Sequence, residues 1–494
     1  MLLYGVGIFY PEIGQKQCFT VKRLVSMKDF FKKLGLSIVE GDIWVKLSAI
    51  IMGIGYIRRG QIIKGILITI LEALFFVYLG TFGAQYLSKF STLGTVQYES
   101  VFNVLTMQNE VNDYDNSFMI LLFGTITIIM IIAFIFIWLN NLVVVYELMD
   151  EDEQGHQINN FAEDIKSLLN DRFHITVLTL PVIGIIVFTV IPLLIMIVVA
   201  FTNYDQAHMP PSALFTWVGF ENFKKLVSFG SSASFGYAFR KIIVWTFVWA
   251  LFATFTNYIG GILLAKLINN PRTKLPKLWR TIFMVTIAVP QFVSLLLVRN
   301  FFATSGIVNT ICYNSGITAA LQQIGLVDPT LNYIPFLTNP HWAMAMIILI
   351  NIWVGVPYQM LIATGVLMNI PADLIEAARI DGASPLQIFT KITMPYMLFI
   401  TGPTLVTDFV RNINNFNVIY LLTQDVYITT DQSMAVANGK EVDLLVTWLF
   451  RLTSEYYNYK MASVIGCVVF IICSIGTLVV FNRLTSEGKE EAFR

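Results

Sequence analysis

Four polar residues stand close together in a stretch that is otherwise apolar: Asp408, Arg411, Asn412 and Asn415. Their i, i+3, i+4, i+7 spacing puts them on one face if the stretch is helical. Asparagine amides carry both donors and acceptors, which suits the hydroxyls of a sugar. A charge at the centre of a bilayer costs about 2.5–3.5 kcal/mol on insertion scales, so in a membrane such a face must look onto protein or a wet cavity. Two readings of Asp408 and Arg411 stand. Either they neutralise each other inside a helix bundle, or Arg411 meets the carboxylate of an acidic sugar such as a uronate.

A second constellation runs from Asn369 to Pro395 and includes Glu376-Ala377-Ala378 and Asp381-Gly382. Pro371 is placed to start a short helix, with Asp373 at its positive end. Gly382 suits the left-handed position that ends it. Ser384, Pro385 and Gln387 have the spacing of a capping box with proline at the first helical position. Pro395 is expected to close that second helix where the next long one begins. Two short helices at a sharp turn, with small residues at their surface, make a knob that another protein can grip.

Other chemistry is missing. The four cysteines, Cys18, Cys312, Cys467 and Cys473, are too scattered for a disulfide framework or a metal cluster, and no histidines stand at metal-ligand spacing. Cys467 and Cys473 read as small buried hydrophobes. No Gly-x-x-x-x-Gly-Lys-Ser/Thr phosphate loop, nucleophile elbow or His-Glu-x-x-His motif occurs. The chain is therefore not expected to be an enzyme or to bind a metal or cofactor of its own.

The elements that position these residues follow from composition. Of the 494 residues, 56% are hydrophobic and 13% charged, about half the charge of an average soluble domain. Lys plus Arg and Asp plus Glu balance at 32 each, so there is no basic field for nucleic acid. The expected fold class is an all-α polytopic membrane protein. Spans of about 20 apolar residues are expected at roughly 65–86, 117–140, 174–201, 242–265, 281–298, 342–366, 396–422 and 461–482. The segment 47–57 is too short to cross and reads as interfacial or re-entrant. With both termini cytoplasmic, 21 Lys and Arg residues fall inside and 6 outside, as the positive-inside rule asks. The acidic stretch 147–153 runs against that rule, but acidic residues weigh little in it. Glu72, in the first span, reads as a helix–helix contact or an interfacial group. Residues 1–26 form neither a span nor a signal peptide; translation starting at Met27 and an ordinary tail are equally open.

The spacing of Glu376-Ala377-Ala378, Gly382, Ile392 and Pro395 resembles the EAA loop of ABC importer permeases. Further stretches resemble the larger membrane subunit of maltose-type importers: 201–205, 215–223, Ala288-Val289-Pro290, 353–358, 412–416, Leu421-Leu422-Thr423, 443–449 and 457–459. The likeness covers roughly 27–490. Two departures show: the outside loop 202–240 is short where enteric relatives carry a folded domain, and the usual Gly-Gly-Pro does not follow Leu421-Leu422-Thr423.

That resemblance implies an ABC importer type I permease fold of about eight helices. It implies a 1–64 cytoplasmic segment with an interfacial helix, 65–173 with two accessory helices, a six-helix core 174–482 and a cytoplasmic tail 483–494. The coupling loop would be 371–395, with Glu376, Ala377, Ala378, Asp381 and Gly382 against an ATPase subunit. The substrate path would hold Gln291, Val354, Gly355, Asp408, Arg411, Asn412 and Asn415, with Ile287 replacing a polar aromatic of the family. The implied partners are a second, smaller permease, two ATPases carrying ATP and Mg, and an extracellular sugar-binding lipoprotein. An ion-coupled secondary transporter is the competing class, drawn from Asp408, Glu72 and the polar stretch 408–415; no inverted repeat supports it.

Overall fold

The computed structural model describes residues 27–103, 107–156, 158–228 and 235–486. Residues 1–26 and 487–494, with the start-codon question, Cys18 and most of the expected tail, lie outside them. The chain divides into two compact units, residues 1–91 with 122–189 and residues 92–121 with 190–494.

In the first unit, three short helices precede the membrane: α1 (Met27–Val39), α2 (Ile43–Leu47) and α3 (Ile54–Arg58). Residues 47–57 are thus two helix ends and a turn, too short to cross. The helical run α4 (Ile62–Lys89) pairs with α5 (Ser117–Glu153), where Phe75 stacks on Phe134 and Tyr78 shares a hydrogen bond with Thr127. The 37 residues of α5 span about 55 Å, well beyond the expected end at 140. Acidic residues in and after this overhang pair with bases near the N-terminus, Glu147 with Lys33 and Asp164, on α6 (Phe161–Leu169), with Lys64. Local ion pairs thus occupy part of the acidic stretch that opposed the charge rule. The run α7 (Phe173–Val199) enters this unit as its last helix.

The second unit carries the core. An antiparallel hairpin, Ser100–Asn103 with Gln108–Val111, is an exception to the all-α expectation. The long helices of this unit begin with α8 (Phe235–Ile268), α9 (Pro276–Ala288), α10 (Gln291–Phe301) and α11 (Pro340–Leu367). The knob helices are α12 (Ala372–Ile380) and α13 (Pro385–Ile388). They lead to α14 (Met394–Ile413), α15 (Phe416–Thr423), α16 (Leu445–Ser454) and α17 (Tyr459–Ser486). Trp249, Ile347, Val418 and Leu422 are fully buried in one apolar cluster, and Trp448, Ile242 and Ile465 in another.

Among the described residues six helices are long and apolar enough to cross a membrane, or seven if α9 and α10 count as one. Three expectations about the course of the chain are revised. The stretch 281–298 is not straight: α9 and α10 meet at 93°, because Pro290 lacks an N–H and Val289 ahead of it is extended. The stretch 396–422 is broken at Asn414-Asn415, where Asn415 leaves helical geometry and caps α15 by accepting from the Val418 N–H. Finally, Pro395 does not close α13. The chain stays helical from Pro385 to Ile413 through a π turn, Phe389–Thr393, which re-pairs carbonyls that the proline could not serve.

The loop before α16 is fastened by a buried ion pair. Asp443 is 0% exposed and Arg451 3%; Nη1 and Nη2 of Arg451 donate to the two carboxylate oxygens at 3.0 and 3.2 Å. Burial pushes the Asp443 carboxyl up, against the pull of Arg451, the Lys440 N–H and the Thr447 hydroxyl. Nearby, Asp431 accepts from Lys241 Nζ at 2.7 Å and Tyr237 Oη at 2.8 Å, beside a cavity of about 620 Å³ between α8, α11 and this loop.

Two outcomes follow. Asp443→Ala should lower stability by about 3–5 kcal/mol, since it strands a buried guanidinium; thermal unfolding of the purified chain measures this, and Asp443→Leu with Arg451→Met should recover most of it. The hydrogen bond from Lys241, with help from Tyr237, lowers the Asp431 carboxyl to about 2. Its stabilisation is complete above the ordinary carboxylate pKa and is lost as pH falls through about 2. Unfolding curves of wild type and Asp431→Asn should therefore converge between about pH 4 and 2.

Candidate functional site

Two helices set the geometry. A methyl group on Gly261 of α8 would overlap the backbone of Gln359 and Met360, and one on Gly355 of α11 would overlap the Asn257 amide. Glycine on both helices permits this close approach, a common device where apolar burial between helices gives no gain. It brings together Thr254 and Asn257 from α8 and Asn351 and Gln359 from α11, all 8% exposed or less.

The third wall is α14. Gln359 Nε2 donates to Asp408 Oδ2 at 2.6 Å, and Arg411 Nη2 approaches Asp408 Oδ1 at 2.8 Å. Asn412 Nδ2 donates to Thr254 Oγ1 at 3.0 Å, while Trp249 Nε1 donates to the Asn412 carbonyl at 3.1 Å. Asn415 Nδ2 reaches Asn412 Oδ1 at 3.3 Å. Asp408 and Arg411 do pair, yet differently exposed: the Asp408 side chain is 7% accessible and that of Arg411 63%. The carboxylate is consumed internally and the rest of the guanidinium is presented outward. Among the described residues of α8, α11 and α14, two buried amide atoms have no partner, Asn257 Oδ1 and Asn351 Nδ2, one an acceptor and the other a donor.

Asp408, Arg411, Asn412 and Asn415 thus remain neighbours although the helix ends before Asn415. Gly355 joins them through its packing on Asn257. Val354 packs on the apolar core, and Gln291 opens α10 just after the bend; neither makes a side-chain hydrogen bond to this network. Thr254, Asn257, Asn351 and Gln359 were not anticipated. Their signal was present as polar residues at i, i+3 in 254–257 and i, i+8 in 351–359 within apolar helices.

The knob has the expected local geometry. Asp373 sits in the first turn of α12, Asp381 is its C-cap, and Gly382 has φ +78°. The Ser384–Gln387 capping box is formed, with Pro385 at the start of α13. Glu376 and Ala377 are exposed and Ala378 is half-buried. Large apolar groups are bare: Ile380 is 86% exposed, Leu386 71% and Leu374 50%. The knob thus leaves large apolar side chains bare at its surface.

Residues 257–485 match the family model described as binding-protein-dependent transport system inner membrane component. The maltodextrin transport system permease protein MdxF of Bacillus subtilis is 32% identical over 456 residues, covering 90% of this chain and 96% of that protein. The galactooligosaccharides transport system permease protein GanP of the same species is also 32% identical, over 90% of this chain and 98% of its own length. The maltose/maltodextrin permease MalF of Escherichia coli is 29% identical, but the match covers 58% of this chain and 52% of MalF. The whole-length matches decide the assignment: the chain belongs to the maltose/maltodextrin type of ABC transporter permease, the inner membrane component of binding-protein-dependent transport systems.

Proposed function

We propose that the chain is the larger permease subunit of an ATP-driven importer of neutral oligosaccharides of the maltodextrin class. The observation that carries the coupling half of this reading is the unbroken helix from Pro385 to Ile413. At about 1.5 Å per residue it is a rod some 43 Å long. Its lower end carries the exposed knob and its upper end carries Asp408 and Asn412. A subunit that grips Glu376, Ala377, Ala378, Asp381 and Gly382 can therefore move the polar network directly. ATP and Mg bind the partner ATPases, not this chain.

In the assembled importer this chain pairs with a smaller homologous permease, two ATPases and an extracellular sugar-binding lipoprotein. It lies in the cytoplasmic membrane of a Gram-positive bacterium with both termini inside. Eight crossings result if α9 with α10 and α14 with α15 each count as one broken span. The six-helix core is then 174–482, preceded by two accessory helices in 65–173 and the N-terminal segment 1–64, with 483–494 as the tail.

The sugar path runs along Gln291, Val354, Gly355, Asp408, Arg411, Asn412 and Asn415. The unpartnered donor on Asn351 and acceptor on Asn257 support hydroxyl recognition, since a hydroxyl offers both complements. Because Asp408 engages Arg411, the pair favours neutral over acidic sugars. Family membership removes the ion-coupled alternative.

In proteoliposomes containing the whole importer, uptake should require ATP and ignore an imposed ion gradient. Glu376→Lys should abolish co-purification of the ATPase or uncouple it, with the permease fold intact by thermal unfolding. Asn415→Asp keeps the helix-capping oxygen and loses the amide donor. It should cut sugar uptake about tenfold, the worth of one buried hydrogen bond, without loss of subunit assembly.

A further inference from the structure

The turn between α2 and α3 belongs neither to the knob nor to the polar network, and it lies outside the residues matched by the family model. Its inner side is bolted down. Glu72 accepts from the Met52 N–H at 2.8 Å, Asn141 donates to the Met52 carbonyl at 3.1 Å, and Trp138 Nε1 donates to the Ala49 carbonyl at 2.9 Å. A methyl group on Gly53 would overlap the Gly65 carbonyl of α4. With the backbone held on that side, Ile50 is 73% exposed and Ile51 44%, and Ile43 and Leu47 of α2 are exposed beside them.

The height of this turn follows from α4. The turn is held to α4 at Glu72 and Gly65, 17 and 24 residues before Lys89, where the run ends, so it sits about 26–36 Å from that end. With Lys89 at one edge of a hydrocarbon layer about 30 Å thick, the turn lies at the opposite edge. Ile50 and Ile51 are then at the depth of an interfacial helix, against the ends of the acyl chains nearest the headgroups. Two cations flank them at the level of the phosphates. Arg58 is four residues ahead of Ile62, where α4 begins, and its guanidinium lies 5.9 Å from the centre of the Trp44 ring; Lys46 is exposed on α2. Among the described residues neither has a carboxylate partner, whereas Arg59 and Lys64 are paired with Asp42 and Asp164.

We propose that residues 43–58 are a binding site for anionic phospholipid. Lys46 and Arg58 hold the headgroup phosphates while Ile43, Leu47, Ile50 and Ile51 lie against the acyl chains. Placing this site in the cytoplasmic leaflet rests on the orientation proposed above; the lipid chemistry does not. The clamp of Glu72, Asn141 and Trp138 makes the turn a rigid floor rather than a loose tail.

The test uses the intact chain in nanodiscs of phosphatidylcholine with or without phosphatidylglycerol. Native mass spectrometry reads retained lipid, and hydrogen–deuterium exchange reads residues 43–58. Phosphatidylglycerol should be retained in preference and should slow exchange in this segment. Lys46→Gln and Arg58→Gln should each weaken retention about fivefold, and together about twentyfold or more, while Lys46→Arg restores it. Equal retention by the double variant overturns the proposal, as does protection of 43–58 that appears only when ATPase subunits bind. Labelling of Lys46→Cys by an impermeant maleimide reads orientation separately: reaction from the outer side overturns the inside placement and leaves the lipid result to be judged on retention.

Discussion

The close approach of α8 and α11 governs the second unit. Gly261 lies on the backbone of Gln359 and Met360, Gly355 on Asn257, and Gly260 on Val356. A side chain at Gly261 would part the helices, whereas one at Gly355 or Gly260 would displace the Asn257 amide or the Val356 side chain. Their separation decides whether Gln359 reaches Asp408 and whether Thr254 reaches Asn412. Both bonds are short and buried, so neither survives even a small displacement. The glycines therefore do more than permit packing; they set the register in which polar groups from three helices meet.

Such a meeting is costly where water is excluded. Each buried polar atom left without a partner costs about 1–3 kcal/mol. Asp408 avoids that cost because both carboxylate oxygens are engaged, by Gln359 and Arg411. Asn412 avoids it through Thr254 and Asn415. Asn257 Oδ1 and Asn351 Nδ2 do not. One is an acceptor and the other a donor, and each carries that cost where it stands.

Much of this was legible in the residues. The apolar runs located the helices, and the caps around Ser384 and Gly382 are local chemistry, so they formed as read. The spacing of the polar residues at 408–415 predicts neighbours on one continuous helix, and they are neighbours although the helix is broken before Asn415. What could not be read was tertiary. Asn415 left the helix because its side chain serves the next one as a cap, a competition that spacing does not reveal. Gln359 and Thr254 matter only because glycines bring α8 and α11 together, and no single-helix pattern contains that fact. The strands Ser100–Asn103 and Gln108–Val111 are four residues each, too short for a period of two to show in the sequence.

Prolines interrupt one helix and are absorbed by another. At Pro290 the preceding residue is extended and the chain turns by 93°, so α9 and α10 are separate helices. At Pro395 the chemistry is the same but the outcome is opposite. The π turn at Phe389–Thr393 widens the helix by one residue per turn, which makes room for the ring and lets the backbone continue. The same device precedes Pro192, where residues 186–190 form a π turn inside α7. Between α13 and Asp408 the backbone stays helical, with Pro403 inside α14; the left-handed Gly382 and the extended Ser384 lie before it, in the turn between the two knob helices. The first break comes at Asn414-Asn415, beyond the buried network. If the knob takes the push proposed above, the load falls on the hydrogen bonds that tie α14 to α8 and α11.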